Sequence, residues 1–351
     1  MSKSLIFTDI HAGVKSDAEI FLNEFRKFFE EFLPEQIENY SLQEGPIFGL
    51  GDLFDNRNNL NVKTLSTVYQ TFTSLFKRYP KLKIYLLTGN HDIYYRNTRE
   101  VSSLNVLNEF SNIELITDIK KTSFFGRSVT LCPWITNKDS SDQIFEERAD
   151  ICMGHFEING FEMVSGIKEY NGIAPKKFEE TFKLTFSGHF HLRAEQNGII
   201  YVGNPYQTKW SDYGNTKGVY VLDFRTLQYE FIENINAPIY VKLFLSNIKK
   251  GTINLKKEVP NNFISLIVDD RISTNDLDKL NYMISSLNPQ SFIIADAEKK
   301  YGIVEEIEDC ASMSPLQFLQ EYTNSLQLPQ KIDKNKLVKK MTELYHQVEI
   351  N

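Results

Sequence analysis

The chain has 351 residues, with 39 basic and 46 acidic side chains and a net charge of −7. Its length suggests about two domains of roughly 150 residues each, and 41% hydrophobic with 24% charged residues excludes a largely disordered chain. No apolar run approaches the ~20 residues of a membrane span, the start lacks a secretory signal, and three scattered cysteines (Cys132, Cys152, Cys310) point to reduced thiols in a cytoplasmic protein.

The elements follow in chain order. Residues 4–8 (SLIFT) read as a buried strand. Ser16 and Glu19 stand at capping-box spacing and predict a helix to about Phe32. Residues 46–50 (PIFGL) read as a second strand, and Leu65, Val68, Phe72, Leu75 and Tyr79 place an amphipathic helix over 62–79. Residues 83–88 complete a strand–helix–strand–helix–strand rhythm, the mark of a parallel α/β sheet. Beyond about residue 112 the strands shorten, at 149–153, 183–187, 199–202, 218–224 and 228–233. Phe125-Gly126-Arg127 and Asn197-Gly198 read as hairpin turns. The expected fold class is α/β, with two packed sheets and helices outside.

Asn236-Ala237-Pro238 marks a boundary, giving units of 1–235, 236–310 and 311–351. The middle unit reads as βαβ: a strand at 263–268, a helix capped by Ser273 with Asp276, and a strand at 291–295. The last unit reads as two short helices separated by Pro329. Leu316, Leu319, Tyr322 and Leu326 line one, and Leu337, Met341, Leu344 and Val348 the other.

The chemistry is concentrated in five short motifs. They are Asp9-Ile10-His11, Gly51-Asp52-Leu53-Phe54-Asp55, Gly89-Asn90-His91-Asp92, Gly154-His155 and Gly188-His189-Phe190-His191. Each follows an apolar strand, and so falls where open α/β sheets place ligands. Together they use every histidine except His346, which receives no role. Asp, Asn and His without thiolate suit Mn²⁺, Fe²⁺, Zn²⁺ or Mg²⁺. In Asp9-x-His11 and His189-x-His191, alternate residues of an extended chain would face one site. So many ligands exceed one ion and fit two, which together clamp a phosphate and activate water. The glycines before Asp52, Asn90, His155 and His189 are expected to permit sharp turns. Any one motif alone is noise; the set in order is not.

In this order the motifs resemble the calcineurin-like metallophosphoesterase superfamily, over roughly residues 4–224. GDLFD, TGNHD, GHFEINGF and SGHFH more narrowly resemble the SbcD-type nucleases of double-strand-break repair. Within these the chain is most similar to the nuclease subunits of T-even-like phage recombination endonucleases. The resemblance implies an αββα sandwich of two mixed sheets, a small capping domain for DNA recognition and terminal helices.

It also implies roles. Asp9, His11 and His191 would bind one metal, Asn90, His155 and His189 the other, and Asp52 would bridge them. His91 would donate a proton to the leaving 3′ oxygen, with Asp92 orienting it. The two divalent ions would be Mn²⁺, with Mg²⁺ as the alternative, and no covalent enzyme intermediate would form. Cellular members often carry a second histidine where Asp55 stands. Asp55 is either a carboxylate acceptor behind the ligands or a helix-start residue before Asn56.

The lysine pairs, such as 120–121 and 256–257, form no strong basic patch, so the chain alone should bind DNA weakly. The resemblance supplies a partner, an SMC-like ATPase of the SbcC type, in a two-plus-two complex containing a homodimer. Helices near 315–349 would dock on its coiled coil, or else pack on their own domain. The implied activity is a 3′→5′ exonuclease on duplex DNA and an endonuclease on single strands, in recombination and repair. One rival is a metallophosphatase or nucleotide phosphodiesterase on small molecules or phosphoproteins. The other is a metal-binding scaffold that only recruits the ATPase. A phage origin would place the protein in the host bacterial cytoplasm, with no membrane partner.

Overall fold

The structure is a computed structural model. It describes residues 2–296, apart from 96, 137, 165, 166 and 171, together with residue 340. The expected helices at 311–351 and the end of the capping unit, 297–310, lie outside the described residues, 340 excepted.

Seventeen strands form the described part. The first sheet contains β1 (Lys3–Phe7), β2 (Pro46–Gly49), β3 (Lys83–Leu87) and β4 (Ile113–Ile116), all parallel. The second begins with β5 (Lys120–Phe124), β6 (Arg127–Cys132) and β7 (Ala149–His155). A short hairpin, β8 (Glu162–Val164) and β9 (Ile167–Lys168), stands apart. Then β10 (Phe182–Gly188), β11 (Ala194–Gln196) and β12 (Ile199–Tyr201) complete the second sheet, in the order β11-β12-β10-β7-β6-β5. β13 (Gly218–Asp223) returns antiparallel to β1, and β14 (Tyr229–Glu233) forms the edge beside it. Both sheets are therefore mixed: the first is antiparallel only on its β13–β14 side, the second at both edges.

Side-chain alternation along each strand sets the layers. On β1, Leu5 and Phe7 face helices 19–39 and 62–78, where they meet Phe25, Phe28, Phe29 and Phe72. Ile6 faces the other way and packs with Phe48, Leu131, Ile151, Met153 and Phe186 between the sheets. On β7, Cys152 turns outward again, against Phe156, Phe178 and Tyr201. Strands buried on both faces read as unbroken apolar runs, which is why SLIFT is legible as one. The α/β sandwich of two packed mixed sheets flanked by helices is present.

Several local expectations change. The first long helix starts at Glu19 with Ala18 at its N-cap, and no side chain caps it. Ser16 sits at φ 56° in a left-handed turn, so the capping box does not form. The helix continues through a π-helical turn, Phe28–Phe32, and ends at Asn39. The helix at Val62–Arg78 is capped by Asn61, which accepts from Lys63 N. Both hairpin turns form, with Phe125-Gly126 and Asn197-Gly198 at positive φ, as two-residue hairpin loops require.

After β14 the chain enters a third sheet of β15 (Tyr240–Phe244), β16 (Phe263–Val268) and β17 (Ser291–Asp296), all parallel. The helix Thr274–Ser285 crosses over between the last two, with Ser273 accepting from Asp276 N. This sheet has its own core around Leu243, Ile264, Leu266 and Ile284. An aromatic cluster joins it to the sandwich: Tyr240 stacks on Phe263 at 4.5 Å, and Phe21 lies 5.7 Å from Phe263. Among the described residues no helix is long and apolar enough to cross a membrane.

Candidate metal centre

The five motifs leave the carboxyl ends of β1, β2, β3, β7 and β10, all parallel within their sheets. Packing the two sheets face to face brings those ends together. Backbone bonds then lace the loops: Leu50 N donates to Phe7 O at 2.9 Å, Asp9 N to Gly51 O at 3.1 Å and His11 N to Asp52 O at 3.0 Å.

The ligands do not converge by strand alternation. Asp9, His11, Asp52 and His189 all have positive φ, at 51°, 49°, 53° and 89°. Each such non-glycine residue costs on the order of 1–3 kcal/mol, a strain typical of functional sites. The glycines also act differently from expectation. Gly51 uses its freedom, at φ 109°. Gly89, Gly154 and Gly188 are needed for close approach instead. A Cβ on Gly89 would lie 2.1 Å from Asp52 Oδ1, and one on Gly188 would lie 2.1 Å from Thr8 Oγ1.

All seven expected ligands come together. Asp9, His11 and His191 form one cluster and Asp52, His155 and His189 another, with the potential ligand atoms of each within 4.8 Å of one another. Asn90 joins the second, its Oδ1 3.0 Å from both His155 Nε2 and His189 Nδ1. Asp52 lies between the clusters: its Oδ2 is 3.8 Å from His11 Nε2 and 3.3 Å from His155 Nε2. His91 stands at the same place, grouped with His11 and Asp52.

The arrangement fits cations. His155 donates Nδ1–H to Leu50 O at 2.8 Å, so its Nε2 is the basic atom. His189 donates Nε2–H to Glu157 Oε1 at 3.2 Å, so its Nδ1 is the basic atom. Both lone pairs face the Asn90 oxygen. Lone pairs meet stably only around an added proton or a metal ion. In the other cluster, the Nε2 atoms of His11 and His191 face each other 3.0 Å apart. His191 Nδ1 is buried without a hydrogen-bond partner. The donors are carboxylate, amide and imidazole, the set for a hard or borderline divalent ion.

Electrostatics agree. Burial disfavours charge on His11, yet Asp55, Asp52 and Asp9 push its pKa up to about 9. Burial also opposes charge on His155, but Asp52 raises it to about 9. Asp52 is held well below the carboxylate range, against burial, by His155, His91 and His11. Burial and then the neighbouring His11 lower His191. A buried cluster rich in both acids and bases is one where a cation can replace protons.

Asp92 sits differently from expectation. The Asp92 carboxylate accepts three backbone amides, from Asp52 at 2.8 Å, Phe54 at 3.1 Å and Gly89 at 2.9 Å. It ties the β2 and β3 loops together. The atom that orients His91 is the carbonyl oxygen of Asp55, which accepts from Nδ1 at 2.6 Å. This corrects the idea that Asp92 holds the ring. The Asp55 carboxylate lies 3.3 Å from His11 Nδ1. No helix begins at Asn56; the next starts at Val62.

Three nearby residues escaped the sequence reading. Glu157 meets His189, as above. Trp134 places its ring 4.9 Å from that of His189. Lys217, buried, donates to His191 O at 2.6 Å and to Asp212 at 2.9 Å. Glu157 lay within GHFEINGF and could have been suspected as a ligand's partner. Trp134 and Lys217 carry no local signal.

This fold and this centre are those of a metal-dependent phosphoesterase. The chain belongs to the calcineurin-like phosphoesterase family, whose profile matches residues 2–193. Along its length it is similar to exonuclease subunit 1 of Enterobacteria phage T4, with 27% identity over 351 aligned residues and 98% of each chain covered. Among solved structures, an archaeal phosphodiesterase matches at TM-score 0.33 and 12% identity, covering 66% of this chain and 99% of its own. A protein of unknown function from Aquifex aeolicus matches at TM-score 0.26 and 18% identity, covering 55% of this chain and 81% of its own.

Proposed function

We propose that this protein is a DNA nuclease that trims broken ends, as a 3′→5′ exonuclease on duplex DNA and an endonuclease on single strands. The observation that carries the reading is its similarity to a phage exonuclease subunit over 98% of both chains, with the seven-ligand centre and His91 intact. Asp9, His11, Asp52 and His191 would hold one ion, and Asp52, Asn90, His155 and His189 the other. The ions, Mn²⁺ in preference to Mg²⁺, would supply charge stabilisation of the phosphate and an activated water. His91 directs Nδ1–H to the Asp55 carbonyl, which leaves Nε2 to meet the leaving oxygen. Asp92 fixes the loops that carry Asp52 and Asn90, and Asp55 braces His11.

Residues 1–235 serve as the catalytic domain, 236–310 cap it and contact DNA, and 311–351 dock an SMC-like ATPase. The word subunit in the relative's name supports a partner, and the net charge of −7 is a reason for the chain to need one on DNA. The working assembly is a two-plus-two complex in the bacterial cytoplasm, acting in recombination and double-strand-break repair.

The test is cleavage of linear duplex DNA labelled at either end, with Mn²⁺, Mg²⁺ or chelator, with and without the ATPase. Mn²⁺-dependent release from the 3′ end supports the reading. Hydrolysis of a simple phosphate monoester with no DNA cleavage under any condition replaces it with the phosphatase reading.

A further inference from the structure

A cavity of about 470 Å³ opens beside the His155–His189 half of the metal centre. Such a volume lies within the roughly 300–1,000 Å³ of small-ligand pockets. Its wall toward the centre is Trp134, with ring centroids 4.9 Å from His189 and 5.9 Å from His155. Phe156 and Ile173 add apolar surface, while Glu157, Thr136 and Lys177 bring polar groups. The tryptophan backbone is pinned on both sides: its N–H donates to Thr88 O at 2.8 Å, and its carbonyl accepts from Arg99 at 2.6 Å. The backbone that carries the half-buried indole is thus held in place before any ligand arrives.

This chemistry selects its occupant. A phosphate would meet the Glu157 carboxylate here, and among the described lining residues the one lysine, Lys177, pairs with Asp142 at 2.9 Å. A sugar also packs on an indole face through its C–H groups, and a sugar-phosphate probe separates it from a base. A flat heterocycle gains stacking on Trp134, and a carboxylate beside it accepts from an exocyclic amine. We propose that the cavity is a nucleobase subsite, in which the base next to the scissile phosphate leaves its own stack and lies on Trp134. The proposal rests on the DNA reading above and adds a reason for it to prefer unpaired or frayed ends, whose bases unstack most easily.

The experiment uses fluorescence. The chain has two tryptophans, so the full-length Trp210→Phe protein reports on Trp134 alone. With Mg²⁺ present it is titrated with deoxyadenosine 5′-monophosphate and, separately, with 2-deoxyribose 5-phosphate. Saturable quenching by the nucleotide and none by the sugar phosphate is expected. Calorimetry on Trp134→Ala should show nucleotide affinity reduced about tenfold or more, with Trp134→Phe intermediate. Equal responses to both probes, or no nucleotide-dependent change in emission, overturns the subsite. DNA cleavage by the unaltered chain is scored separately. Cleavage without quenching removes the subsite and keeps the nuclease. Quenching without cleavage keeps the subsite and moves the substrate to free nucleotides.

Discussion

His189 donates Nε2–H to Glu157 at 3.2 Å, and this turns its Nδ1 toward Asn90 Oδ1 at 3.0 Å. Glu157 thereby selects the tautomer in which His189 can act as a ligand. Such outer carboxylates orient metal-binding imidazoles, and their loss costs ~10–100-fold in metal affinity. Glu157→Ala should weaken divalent-ion binding by about that factor. Glu157→Gln, whose amide oxygen still accepts, should lose less. Titration calorimetry of the metal-free chain measures both, and unchanged affinity in the alanine variant would refute the role.

In the proposed reaction His91 transfers the proton. Its ring stands edge-on to His11 at 4.8 Å and, among the described residues, hydrogen-bonds to the Asp55 carbonyl. His91→Asn should slow phosphodiester cleavage by about 10²–10⁴-fold, while two ions still bind. Full activity in that variant would remove His91 from the chemistry.

The pH dependence follows from two shifts. Burial works against charge on His11 and His155, but the surrounding carboxylates win and raise both to about 9. In the metal-free chain the folded state therefore holds protons that the unfolded state releases near the ordinary histidine value. That contribution to stability is full below pH ~6.5 and is lost as pH rises toward 9. Metal must displace the same protons, so its apparent affinity should rise over that window. Thermal melts should show metal-free stability falling from pH 6.5 to 9 while the stabilisation gained from added Mn²⁺ grows. A metal-induced shift that is flat across this range would contradict the assignment.

Gly89 is where two loops touch. An added Cβ would lie 2.1 Å from Asp52 Oδ1 and 2.4 Å from Asp52 N. The backbone at Asp52 cannot yield, because its N–H is bonded to Asp92. Gly89→Ala should destabilise by ~1–3 kcal/mol, as overpacking does, and should impair binding of both ions, since Asp52 lies between the clusters. A denaturant melt and a metal titration test this together.

Much of this was legible from the residues. SLIFT and PIFGL are buried on both faces, and a strand so placed reads as a near-continuous apolar run. The ligand motifs are short, polar and local, so each announces itself at a strand end. Four strands went unseen, the short β8–β9 hairpin and, among the longer ones, β4 and β15. Glu114 and Lys242 interrupt their apolar pattern, and only pairing with β3 and β16 makes them strands. The start of the first long helix was misread because Ser16 follows the capping pattern in type but lies in a left-handed turn.

The sequence by itself determined the layered α/β architecture and singled out the residues proposed to carry the metal chemistry, because hydrophobic period and ligand type are written residue by residue. Tertiary structure decided how those residues act. It set which nitrogen of His155 and of His189 faces inward, through the acceptors Leu50 and Glu157 from other loops. It moved Asp92 from the ring of His91 to three backbone amides. It also placed Trp134 against His189. Each of these depends on a distance between segments far apart in the chain, and such distances exist only once the two sheets have packed.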